Sequence, residues 1–414
     1  MGHAVVDRLG GDPRPQAAPA YRDPNVMRWV LGYLSSLIGD QIWFVALSWS
    51  AVQAGGPAQV GLVLAAGALP RSVLLLFGGA LADRWGIRRV ALASDVTRTA
   101  LLAAAATLAL TVPLGVGWLI ALAVAFGVVD ALYLPAAAAM PQQLAPREEL
   151  TRVQGLRATA QRLATTLGAP LGGLAVAGAG AARAFALAAS TTALSVGALA
   201  FTRLRRVQPS IREPILRSVR AGLAYTTRHP VLRPLLIMAT LTELGFGGAV
   251  NAGLPILSHA RGWGANGVGF LLGAFGVGAA VSAIAVVLTR RIPHVGRLFT
   301  PLVIVTAGAL AGIGTTRSLP VAVACAAFVG LASGVSGTLY GSLILHESAP
   351  EMVARVASLS MLASLGLAPV ALAMAGAAAA AYGAPGPFLL GAAIVLTGAV
   401  PPLVAASLRG AELA

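Results

Sequence analysis

Twelve apolar runs, each long enough to cross the roughly 30 Å hydrocarbon core of a bilayer as a helix, constrain this chain more than any other feature of its sequence. They fall at about 26–53, 58–80, 90–112, 117–139, 153–179, 182–202, 233–258, 264–289, 297–316, 319–345, 354–382 and 386–407. Strands of a membrane barrel need only about ten residues each, so runs of this length predict helices. A water-soluble chain needs about 25% charged residues to cover its surface. This one has 10%, with 57% hydrophobic residues and a mean hydropathy of +0.82. The expected fold is an all-α membrane protein of twelve transmembrane helices in two six-helix halves.

All 29 basic residues are arginine, and the net charge is +15. A nucleic-acid binder gathers such charge on one face, whereas here it sits between apolar runs. Lys and Arg near short loops stay on the cytoplasmic side. The even-numbered loops carry Arg84, Arg88, Arg89, Arg147, Arg152, Arg290, Arg291, Arg297 and Arg355, with Arg409 in the carboxyl-terminal tail. Odd-numbered loops show only Arg183, Arg261 and Arg317. Both termini are therefore predicted in the cytoplasm, with the chain in the cytoplasmic membrane. Residues 1–25 read as a basic, disordered tail, not a cleavable signal, because the first apolar run is long enough to span. The amino-terminal half is 26–202, the cytoplasmic linker 203–232, the carboxyl-terminal half 233–408 and the last tail 409–414. Within the linker, Ile215, Val219 and Leu223 fall on one helical face and Arg217 and Arg220 on another. This pattern suits an amphipathic helix on anionic lipid, or a solvated linker whose charge enforces topology. Six spans, a long link and six more is a plan of secondary transporters.

The turn between spans 2 and 3 reads Gly79-Ala-Leu-Ala-Asp83-Arg84-Trp-Gly86-Ile-Arg88-Arg89. It resembles the signature loop of the major facilitator superfamily, in its usual place. The resemblance implies a latch between the two halves in one conformation, although Ile87 stands where a basic residue is usual. The turn 289–294 between spans 8 and 9 keeps basic charge but no acid. Asp95 and Arg98 near the start of span 3, Asp130 through Pro135 in span 4, and Gly168, Pro170, Gly172 and Gly173 in span 5 extend the likeness. Together they resemble the macrolide-efflux-like drug:proton antiporters, with the span 5 proline displaced by one position from the antiporter motif. In any transporter such glycines also permit close helix packing.

An ionisable group in hydrocarbon is costly and usually faces a cavity with a function. Asp40 lies about 20 Å into span 1 and Glu243 about 15 Å into span 7, at 1.5 Å per residue. Asp130 and Arg71 reach similar depths, and Arg162 enters span 5. These five are the expected proton-coupling and cavity residues. Tyr33, Ser36, Asp40 and Trp43 recur at helical spacing, as do Thr240, Glu243, Gly247 and Asn251, so each set points one way. Tyr33, Ser36, Trp43, Thr240 and Asn251 are thus expected to line the substrate path. Trp49, Phe44 and Phe275 either join them or pack between helices. A carboxylate in a poorly hydrated cavity takes up a proton readily, while one beside Arg stays charged. The acids are therefore either proton carriers or structural ion pairs, for instance Asp130 with Arg71 or Arg162. Asp95 with Arg98 is expected to be a structural pair tying span 3 to the signature loop.

The functional expectation is export of a small amphipathic or cationic, drug-like solute by proton antiport. The alternatives are export of an endogenous metabolite or siderophore, proton-coupled import, or a membrane sensor that moves nothing. His3, His229, His259, His294 and His346 lack metal-ligand spacing, and neither a phosphate-binding glycine loop nor a Ser/His/Asp set stands out. No enzyme activity, cofactor, metal or nucleic-acid partner is expected. The partners are a small-molecule substrate, protons and lipid, and the chain is expected to be a monomer. Cys325, alone in an apolar run, excludes an intrachain disulfide and reads as a small buried hydrophobe.

Overall fold

A computed structural model describes residues 20–204, 215–289 and 294–412, apart from a few side chains that include Asp83. Helices dominate, and the described residues contain no strand. The first half comprises α1 (Pro24–Gly55), α2 (Pro57–Trp85), α3 (Ile87–Thr111), α4 (Val116–Leu144) and α5 (Leu150–Ala200). Helix α5 comprises two spans. Gly180, with φ 76°, breaks it where the chain reverses, in a region of backbone space that favours glycine. The linker helix α6 (Ile215–Arg228) precedes α7 (Leu232–Gly248), which continues through a π-helical stretch, Ala249–Gly253, into α8 (Leu254–Ala260). Then follow α9 (Gly264–Leu288), α10 (Val295–Thr315), α11 (Leu319–Glu347), α12 (Val353–Tyr382), α13 (Gly386–Thr397) and the short α14 (Val400–Val404) and α15 (Ala406–Arg409).

Ten described helices are long and apolar enough to cross a membrane. Splitting α5 at Gly180 adds one. Helix α3 adds the twelfth, its hydropathy lowered by Arg88, Arg89, Asp95 and Arg98. The neighbour pattern repeats between halves: α2 packs on α4 as α9 packs on α11, and α3 packs on α5 as α10 packs on α13. The chain has the twelve-helix, two-half fold expected from the sequence, and its larger buried core runs through both halves.

The expected disordered tail falls mainly on residues 1–19, outside the described residues. Its last part is ordered. Ala20–Arg22 forms a 3-10 turn, and the Ala20 amide donates to Glu149 Oε2 at 2.9 Å. Asp23 then caps α1, accepting from the Asn25 amide at 2.8 Å. Residues 205–214, with Arg205, Arg206 and Arg212, and 290–293, with Arg290 and Arg291, also lie outside the described residues. Helix α6 meets the start of α12. A Cβ on Gly222 would sit 2.9 Å from the Arg355 carbonyl, and the Ala349 amide donates to Tyr225 Oη at 3.2 Å.

The halves meet chiefly where α2 packs on α12 and α5 on α9. Both seams are close toward the end opposite the termini and continue to mid-depth, where Ser72 Oγ donates to the Leu365 carbonyl at 2.6 Å and a Cβ on Gly276 would lie 2.8 Å from Thr166 Cα. A Cβ on Gly61 would lie 2.7 Å from Gly376 Cα, and one on Gly173 would lie 3.1 Å from Gly269 Cα. Trp49, near the same end of α1, stacks edge-on against His259 of α8 with centroids 5.7 Å apart.

Candidate functional site

The amino-terminal half is organised around Arg98. Eleven residues into α3, about 16 Å along its axis, its side chain is completely buried. Such a cation is tolerated only when paired and hydrogen-bonded. Three helices supply partners. Asp40 of α1 contacts Nη2, Asp95 Oδ1 lies 3.2 Å from Nη1, and Asp130 Oδ1 of α4 lies 3.6 Å from Nε. Phe126 and Tyr133, also on α4, present ring faces to the guanidinium at 5.1 and 4.6 Å, an arrangement suited to a planar cation. Ser195 Oγ donates to Asp95 Oδ2 at 2.7 Å, and Ser36 Oγ donates to Asp95 Oδ1 at 3.1 Å. Arg71 Nη1 completes the cluster, 3.8 Å from Asp130 Oδ2. Three carboxylates facing two guanidiniums leave one formal negative charge in excess.

Next to this cluster, between the halves, lies a cavity of about 470 Å³, within the size range of small-molecule sites. The first half contributes Asp40, Gln41, Trp43, Arg71, Asp130 and Gln161. From the second come Glu243, Phe246, Asn251, Phe275 and Ser364. The rings of Phe246 and Phe275 stand 5.4 Å apart, giving that wall an apolar character. Asn251 sits in the π-helical stretch, with Nδ2 donating to the Gly247 carbonyl at 2.8 Å. Ser364 of α12 borders the same cavity as Glu243. Among the described residues, no basic group lies within salt-bridge distance of Glu243.

Of the expected cavity residues, Asp40, Asp130, Glu243, Arg71, Trp43 and Asn251 come together here. Others do not. Arg162 is outside the lining and donates from Nη1 to the Ala279 carbonyl of α9 at 2.7 Å, bridging the halves instead. Ser36 and Tyr33 are buried beside Asp95, inside the first half. Their helical spacing from Asp40 is real, but α3 and α5 cover that part of the α1 face. Thr240 lines a smaller cavity inside the second half. Phe44 and Phe275 line the central cavity, whereas Trp49 packs against His259.

A family model, described as the Major Facilitator Superfamily, matches residues 29–371. The chain belongs to that superfamily. Among curated proteins it is 28% identical over 357 residues to the enterobactin exporter EntS of Shigella boydii, covering 82% of this chain and 80% of the relative. Its fold is similar to that of the human organic anion transporter MFSD10, with a TM-score of 0.59, 20% identity and coverage of 93% and 100% of the two chains. It is also similar to a bacterial homologue of the lysosomal transporter Spinster, with a TM-score of 0.64, 14% identity and coverage of 94% and 96%.

The loop that resembles the superfamily's signature lies between α2 and α3. Gly86 turns the chain with φ 92°, and Arg88 donates from Nη2 to the Ala200 carbonyl at 2.5 Å, a bond within the first half. Arg84 and Arg89 are exposed, and the Asp83 side chain is outside the described set. The span 5 motif divides its work. Gly168 and Gly172 pack against Gln41 and Ile42 of α1, while Pro170 and Gly173 face Gly273 and Gly269 of the other half.

Sequence reasoning missed that Arg98 binds the cavity acids as well as Asp95. Depth held the signal: Arg98, Asp40 and Asp130 lie about 16, 24 and 21 Å from the terminus-bearing end, within reach of a long side chain. Gln41, Gln161 and Ser364 carried no comparable signal, since neutral polar residues are common in helices that pack against one another.

Proposed function

We propose that this protein exports a small amphipathic or cationic organic solute by proton antiport, through alternating access of the central cavity. The observation that carries the reading is the cavity between the halves, where acids from both sides face one space. The excess of carboxylate over guanidinium there favours a positively charged solute, and the paired rings of Phe246 and Phe275 suit an apolar body. Tight seams at the end opposite the termini fit a cavity facing the terminus-bearing side. The arginine-rich even loops support a cytoplasmic position for that side. The likeness of Asp130 through Pro135 and of the span 5 motif to macrolide-efflux-like exporters supports a drug-like solute.

A siderophore or related endogenous metabolite is the second reading, favoured by the likeness to an enterobactin exporter. Neither reading involves a resident cofactor. Everted membrane vesicles from cells overexpressing the chain separate the possibilities. With an acid interior, they are expected to accumulate ethidium and to release protons as they do so, and the Asp40→Asn variant to lose most of both. Ethidium accumulation that persists after the proton gradient is collapsed would refute antiport. Cells that retain more ethidium on overexpression would refute export. A deletion strain that handles ethidium normally but secretes less siderophore would favour the second reading.

A further inference from the structure

Glu243 stands between two cavities, and only one of them is the solute path. The other, about 240 Å³, lies inside the second half among α7, α10, α11 and α12. Hydroxyls line it: Thr240, Thr306, Ser333, Ser336, Tyr340 and Ser360, with Ser364 shared with the central cavity. At about 30 Å³ of liquid volume per molecule, this space has room for several waters, and hydroxyls supply the polar partners that waters need.

Its depth matters. Leu236, in its wall, lies about 6 Å along α7 from the terminus-bearing end, and Glu243 lies about 16 Å along it. The cavity therefore runs parallel to the central one, from near that face to mid-depth. Tyr340 Oη donates to Ser360 Oγ at 2.6 Å. Ser360 Oγ donates in turn to the Val356 carbonyl at 3.0 Å, and Ser364, one helical turn further along α12, borders both cavities together with Glu243. Tyr340, Ser360, Ser364 and Glu243 thus place exchangeable protons along one cavity wall.

The charge around Glu243 distinguishes it from the acids opposite. Across the central cavity it faces Asp40 of α1, Arg71 of α2 and Asp130 of α4. On the side-cavity wall the other titratable group is Tyr340, and α10 and α12 bring no charged residue to it. Asp40 and Asp130 contact Arg98, whereas half-buried Glu243 has no basic group within salt-bridge distance among the described residues. A partly buried carboxylate with no cation beside it is costly to keep as an anion.

The geometry points to a second access route: the coupling proton leaves Glu243 for the terminus-bearing face through the hydroxyl-bearing side cavity, apart from the solute path. The proton is carried on a Glu243 carboxylate oxygen, with Ser364, which borders both cavities beside it, as the positioning residue. It leaves by the same oxygen when the acid re-ionises. Solute entering from that face and the proton leaving toward it then use separate spaces. This inference rests on the antiport reading for the proton's role in coupling.

The route itself is tested without solute, on the full chain in lipid, by infrared spectroscopy of carboxyl exchange in heavy water. A protonated carboxyl band is expected that disappears in Glu243→Gln. Filling the side cavity with Ser336→Phe is expected to slow exchange of that band by roughly tenfold or more. Narrowing the central cavity with Ala368→Phe should leave it unchanged. If Ser336→Phe does not fold, Ser360→Ala with Ser364→Ala, which removes two of the cavity's hydroxyls, should slow the same exchange. No band lost in Glu243→Gln, or exchange slowed by Ala368→Phe and indifferent to the side-cavity variants, overturns the proposal. Failed ethidium transport alongside the expected exchange pattern would sink the antiport reading and leave the route standing.

Discussion

Arg98 is the residue on which the first half depends. Its guanidinium meets three carboxylates from α1, α3 and α4 and lies against two aromatic rings. Removing one partner from a buried ion cluster typically costs about 3–5 kcal/mol, because the charges left behind are uncompensated. Arg98→Met is therefore expected to lower the melting midpoint in detergent sharply and reduce the yield of folded protein. Arg98→Lys should recover only part of the loss, since an ammonium is a point charge that cannot reproduce the planar fork. Size-exclusion profiles and thermal melts of both variants check this, and an unchanged midpoint for Arg98→Met would refute the hub. The sequence made Asp40, Asp95, Arg98 and Asp130 conspicuous one by one, because charge in an apolar run is rare. Which of them touch could not be read from one dimension, where Arg98 and Asp95 share a helix and the other two acids do not.

At the scale of elements, helix existence and order were legible because bilayer thickness fixes the length of every span. The reversal inside α5 was legible too, since Gly180 is well suited to its positive φ. Less visible was the π-helical stretch at Ala249–Gly253, which carries Asn251 into the cavity wall. The function of the span 5 glycines also needed the fold, as neighbouring positions of one motif pack against different halves. Gly173 is the sensitive point of that seam: a Cβ there would lie 2.7 Å from the Ala265 carbonyl and 3.1 Å from Gly269 Cα. Backbone cannot yield as a flexible side chain can. Gly173→Leu is expected to push α5 and α9 apart at the end opposite the termini and shift the population toward opening there. Spin labels placed on α2 and α12 at that end should show longer distances by electron double resonance, and an unchanged distribution would refute the wedge.

At the scale of the molecule, the two halves close at one end around a cavity that neither half forms alone. The arrangement predicts one-sided access. In a Cys325→Ser background, Gln41→Cys in the cavity wall should react with a membrane-impermeant thiol reagent in everted vesicles and react slowly in right-side-out ones. The Gly173→Leu variant should narrow that difference. Equal reactivity from both sides would contradict a closed end opposite the termini, and reversed reactivity would overturn the cytoplasmic assignment of the terminus-bearing face. Mass spectrometry of the labelled chain gives the reading directly.

By itself, the sequence determined the solvent, the twelve helices, their pairing into halves and the expected sidedness of the loops, because hydrophobic length and arginine placement are local quantities. The tertiary structure alone decided which polar residues share a space. It moved Tyr33, Ser36 and Arg162 out of the cavity, gathered Asp40 and Asp130 onto Arg98, and left Glu243 among hydroxyls between two cavities. Helical periodicity says which residues share a face of one helix; what covers that face depends on how neighbouring helices pack.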